Sequence, residues 1–207
     1  MKYIYTEEIL TRILENKDQA FNKLDLESFH VYSFLKEEFE NTEDIGTNYL
    51  FQFTYRSFYR LDNAGLTPEF KNAYFKLLQD YKNKPIDLRA ICMDLYKYKT
   101  RKGLNSIQFS FATKLANMLD VNYTIYDSEI IKLFNFSQPY HQKDNVKKID
   151  KYLEQYDYIS STSKELIKNK KIKSIFAEMD DLFGDICKGI GDIKKLDFLM
   201  WAIGKNI

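Results

Sequence analysis

The chain is poor in the residues that break or staple a backbone. Its 207 residues include 7 glycines, 3 prolines and 2 cysteines. So few breakers argue against many short strands joined by tight turns and favour long helices. Cys92 and Cys187 lie far apart and fit neither a metal nor a redox spacing, which points to a reducing cytoplasm. Histidine is scarce too. His30 and His141 have no partner at metal-ligand spacing, so neither a metal nor a cofactor is expected. No run of about 18 apolar residues occurs, which leaves nothing to span a membrane. The opening MKYIYTEEIL lacks an apolar signal core and carries two early glutamates, so no secretion signal is read. Phosphate-binding loops, dinucleotide fingerprints and nucleophile elbows are all missing.

Aromatic residues are abundant, with 16 Phe and 16 Tyr making up most of a 16% share. The formal net charge is +1, but it is unevenly spread. Residues 1–50 hold 5 Lys and Arg against 11 Asp and Glu, whereas residues 51–100 hold 9 against 5. An acidic front and a basic middle permit a local anionic partner without requiring one.

Apolar periodicity predicts helices almost throughout. The first fifty residues suggest two, carrying Phe21, Leu24, Phe34, Leu35 and Phe39. YLFQFTYRSFYRL, residues 49–61, reads as a helix that puts Arg56 and Arg60 on one face at i, i+4. A turn over 62–66 precedes Thr67 as N-cap and Pro68 at the first helical position. Phe70, Tyr74, Leu77, Leu78 and Tyr81 then form an apolar stripe, and Ile91 to Tyr96 mark a shorter helix. KYKTRKG, 97–103, is a basic loop. A break at Ser137-Gln138-Pro139 is followed by a helix over Val146–Tyr156, then a longer one capped by Ser161 or Ser163. The last begins near Asp192, with Trp201 in its core and Gly204 as its stop. The expectation is an all-α chain of roughly nine to ten helices. It forms one globular unit over 1–207, with lobes at 1–48 plus 140–207 and 49–139.

The segment SFATKLANMLDVNYTIYDSEI, 110–130, holds the chemistry. On a helix, Phe111, Ala112, Leu115, Ala116 and Leu119 make the buried stripe and Lys114 falls on its flank. Taken alone, Lys114 is a solvated lysine beside a core helix. Taken alone, Asp127 is an N-cap ahead of Ser128, Glu129 and an apolar run.

Taken together, the two residues resemble the core of the helix-hairpin-helix base-excision DNA glycosylases. Ser110, Phe111 and Ala112 stand where that superfamily has its Gly-Val-Gly hairpin. Lys114 falls on the lysine of its bifunctional members, Ala116 on the alanine after it, and TIYDSEI on the segment presenting the catalytic aspartate. The resemblance implies Lys114 as nucleophile, Asp127 as electrostatic partner and DNA as ligand, with Ser110 and Ala112 at its backbone. A glycosylase flips a nucleotide out of the duplex and breaks the bond between sugar and base. A carboxylate stabilises the positive charge that develops on the sugar, and a lysine amine forms a Schiff base with it. The chain departs from the pattern in two places. Ser110 and Ala112 replace glycines that favour positive φ. The interval from Lys114 to Asp127 is about five residues short, a little over one helical turn. The wider pattern YRSFYRLDNAGLT, SFATKLAN, YDS and KKLDFLMWAIGK resembles a bacterial group of proteins.

Further basic candidates for nucleic-acid contact are Lys97, Lys99, Arg101 and Lys102, interleaved with Tyr96 and Tyr98, together with Arg56 and Arg60. The two arginines can instead pair with Asp62 or the acidic front. KELIKNKKIKS, 164–174, carries five lysines and reads as a solvated face. The alternatives to an enzyme are a non-catalytic relative binding nucleic acid or a protein, and a helical interaction module of a stress or phage-defence system.

Overall fold

Helix starts in this chain are set by short polar side chains that satisfy the first free N–H groups of each turn. The computed structural model describes residues 5–207. Among these, eleven α-helices follow one another: α1 (Thr6–Phe21), α2 (Leu26–Asn41), α3 (Tyr49–Phe58), α4 (Pro68–Asp80), α5 (Leu88–Tyr96), α6 (Phe109–Leu119), α7 (Ser128–Leu133), α8 (Asn145–Leu166), α9 (Lys170–Phe183), α10 (Asp185–Lys188) and α11 (Asp192–Gly204). The described residues contain no sheet; isolated bridges join Leu66 to Thr100 and Lys99 to Asn105. The fold is all-α. None of these helices is long and apolar enough to cross a membrane.

Thr67 caps α4 by accepting from the Phe70 N–H, with Pro68 in the first turn. Asp25, Asn48, Asp87, Asp144 and Asn169 do the same for α2, α3, α5, α8 and α9. The break expected at Ser161 or Ser163 is absent. Both lie inside α8, because Ile149, Tyr152, Tyr156, Ile159 and Leu166 keep one apolar face running past them. The five-lysine segment therefore spans the α8–α9 junction, where Asn169 is the cap.

One contiguous apolar core runs through all the long helices. At its centre, α11 is buried on nearly every side and packs against α1 and α7. Gly204 is the last residue of α11 rather than a residue beyond its end. Its Cα lies so close to α7 that an added Cβ would sit 2.1 Å from the Glu129 carbonyl oxygen. Close approach, not chain termination, is what glycine provides there. α7 packs on α11, and Arg12 of α1 donates to the Leu133 carbonyl of α7 at 2.7 Å. A buried polar chain ties α3 and α4 to α6. The Tyr55 and Tyr74 hydroxyls lie 2.7 Å apart, and Tyr74 donates to the Phe111 carbonyl at 3.0 Å.

Candidate functional site

Six helices and their flanking loops line a cleft of about 970 Å³. Two helices supply its chemistry by simple periodicity. On α6, Ser110 and Lys114 share a face at i, i+4 and both line the cleft. On α11, Lys194, Asp197, Trp201 and Lys205 recur at three- and four-residue steps and line it too. The N-cap of α7 contributes Asp127, and the residues just past α3 contribute Tyr59 and Arg60. Lys114 and Asp127 thus line the same cleft.

Asp127 is also the N-cap it was read as. Its Oδ1 accepts from the Glu129 and Ile130 N–H groups at 3.0 and 3.1 Å. Its Oδ2 makes no hydrogen bond among the described residues, which leaves one carboxylate oxygen for the cleft. Lys114 is not the solvated lysine that the stripe on α6 suggests. Nearly every other residue of α6 is buried, and Lys114 is only partly exposed. Its Nζ makes no hydrogen bond or ion pair among the described residues. It lies 5.2 Å from the Phe111 ring centroid and 6.0 Å from that of Tyr59. Burial holds the Lys114 amine below its usual value; Asp127 and Asp197 pull the other way, and Lys194 and Arg60 push with burial.

Opposite these two residues sits a buried pair that the sequence reading did not single out. Lys194 and Asp197 are 3% and 5% exposed, and Lys194 Nζ lies 2.5 Å from Asp197 Oδ2. Three rings surround the ammonium, with centroids at 4.6 Å (Phe198), 4.9 Å (Tyr32) and 5.8 Å (Tyr59). Burial raises the Asp197 carboxyl above the usual carboxylate range, with Lys194 opposing. The hydroxyls of Tyr32 and Tyr59 and the Oδ1 of Asp197 are buried without any hydrogen-bond partner. Burial raises both tyrosines as well. The available signal was KKLDFLMW itself, where charged residues interrupt an apolar helix. Trp201, expected in the core, packs against it while also lining the cleft, and carries Lys205 Nζ 3.7 Å from its ring centroid.

The other expected contacts are scattered. Ser110, Phe111 and Ala112 form the first turn of α6, not a hairpin, and all lack positive φ. Ala112 is fully buried and out of reach of a ligand, whereas Ser110 lines the cleft. Arg56 pairs with Asp62 at 3.3 Å, beside Lys71. Arg60 does not share a helical face with it: it lies beyond α3 in the left-handed region at φ 59 and lines the cleft. Lys97 pairs with Asp94, and Arg101 donates from Nε to the Leu66 carbonyl, pinning the basic loop. Lys97, Lys99, Arg101 and Lys102 all lie outside the cleft lining. Among the described residues no cluster of three His, Cys, Asp or Glu is placed to hold a metal ion.

No protein-family model matches this chain, and no curated protein or solved structure gives a significant match.

Proposed function

We propose that the cleft is the active site of a base-excision DNA glycosylase-type enzyme, with Lys114 as amine nucleophile and Asp127 as the carboxylate facing the sugar. The observation that carries this reading is the state of Lys114. Its amine has no ion-pair partner, shares a cleft with the free Oδ2 of Asp127, and is held below its usual proton affinity by burial. A lysine so placed has a larger neutral, nucleophilic fraction than a surface lysine. Trp201 and Phe53 line the same cavity and offer faces on which an everted base can stack.

In this reading the Lys114 amine attacks C1′ of the flipped nucleotide, and the C1′–N bond breaks with its electron pair passing to the base. The C1′–O4′ bond then breaks, O4′ takes one Nζ proton and the Asp127 carboxylate the other, giving a Schiff base between Nζ and C1′. The Asp127 carboxylate stabilises the positive charge on the sugar along this path. Borohydride reduces such an imine to a stable amine, which gives the test. Protein mixed with duplex carrying an abasic site or an oxidised guanine is expected to yield a covalent adduct. Lys114→Gln is expected to yield none. Equal trapping by that variant, or none by the parent, refutes the assignment.

One observation favours a second reading, a non-catalytic relative that binds nucleic acid or a protein. Ser110 to Ala112 are helical, so the backbone nest that would grip a DNA phosphate lacks its glycines. Duplex binding without adduct or base release selects this reading over the first.

A further inference from the structure

We propose that Asp197 is a second catalytic residue, the acid that gives its proton to the departing base. The inference rests on the glycosylase reading and uses groups that reading leaves idle. The two cleft carboxylates are built differently. Asp127 commits one oxygen to the first turn of α7. Asp197 lines the cleft, is 5% exposed, meets Lys194 through Oδ2 alone, and leaves Oδ1 buried and unpartnered. A buried polar atom without a partner costs about 1–3 kcal/mol. A second is the Tyr59 hydroxyl, also buried and unpartnered; Tyr59 lines the same cleft and its ring centroid lies 5.8 Å from the Lys194 ammonium. Two such atoms on residues of one cleft are accounted for by a polar ligand that completes them. A nitrogen heterocycle seated against Trp201, on the same face of α11, brings acceptor nitrogens to that wall.

The step balances within the chain. The C1′–N bond breaks and its electron pair goes to the base nitrogen, which takes the proton of Asp197 Oδ1. Lys114 Nζ forms the new bond to C1′ and passes its surplus proton to the Asp127 carboxylate, the other acid group of the cleft. As the acid gives up its proton, a carboxylate forms 2.5 Å from Lys194 Nζ in a poorly solvated site. The ion pair therefore strengthens in the transition state, which is where it accelerates the reaction. The raised proton affinity of Asp197 is consistent with an acid that still holds its proton at the start.

The experiment separates base release from Schiff-base formation. Single-turnover base release is measured on duplexes carrying oxidised guanine, uracil or hypoxanthine. Borohydride trapping is measured on a preformed abasic site, which has no base left to expel. Asp197→Asn is expected to slow base release by about 100-fold to 10,000-fold. It is expected to leave abasic trapping unchanged and to flatten the fall in base release with rising pH. Should the Asn variant lose trapping as well, Asp197→Glu decides: recovered base release supports the acid, and none overturns it. Base release by Asp197→Asn at the parent rate also overturns it, as does a parent that traps abasic sites but releases none of the three bases. A parent that traps nothing refutes the glycosylase reading itself.

Discussion

Replacing Gly204 with alanine tests whether the contact between α7 and α11 positions the cleft. The new Cβ would meet the Glu129 carbonyl oxygen at 2.1 Å, its carbon at 2.5 Å and its Cα at 2.9 Å. It is therefore more than about 1 Å inside ordinary contact. The obstacle is backbone, not the end of a flexible side chain, so no rotamer change relieves it. Nor is α7 free to retreat, because Ile130 and Leu133 are fully buried and Asp127 fixes its first turn. Overpacking of this kind costs about 1–3 kcal/mol, and a backbone clash belongs in the upper part of that range. For a chain of this size each kcal/mol lowers Tm by about 2–4 °C, so a loss of about 4–12 °C is expected. Thermal melts by circular dichroism give the answer. Gly189→Ala is the control, since its Cβ meets nothing closer than 3.6 Å and its φ of −72 suits alanine. It is expected to hold or slightly raise Tm. If Gly204→Ala melts within about 2 °C of the parent, α11 can slide on α7 at little cost. Asp127 then cannot be considered fixed by that contact.

Two further predictions concern the cleft and its supports. The Lys114 amine is held below 10.5 by burial, so the unfolded chain binds that proton more tightly and stability rises with pH from the folded value toward 10.5. Lys114→Met is therefore expected to raise Tm at neutral pH, with a gain that shrinks toward pH 10.5; a gain independent of pH refutes the burial argument. Tyr74→Phe removes the middle of the chain from Tyr55 to the Phe111 carbonyl and leaves a buried hydroxyl unpaired. It is expected to cost about 1–3 kcal/mol, read as a lower urea midpoint at unchanged m-value.

The boundaries that were legible in the sequence are those set by neighbours in the chain. Thr67-Pro68 and Asp127 cap the helices they announce, since a cap needs only the next three residues. Ser163 shows the limit of that logic: its type suits a cap, yet it lies buried inside α8 because the apolar face continues to Leu166. The site divides along the same line. Periodicity places Lys114 off the apolar stripe of α6, but it does not say what stands opposite. Whether a flank lysine is solvated or half-buried depends on α11, which lies some eighty residues later and turns Lys194 and Asp197 toward the same space. A charged pair inside LDFLMW-type apolar sequence was the visible trace of that wall, because a buried charge persists only where it is paired. The consequence is specific to this cleft. The residue that the proposal makes a nucleophile, Lys114, and the one that it makes an acid, Asp197, are brought to one cleft only when α6 and α11 are both in place. The chemistry of either residue is therefore testable only in the folded chain, with both helices in place.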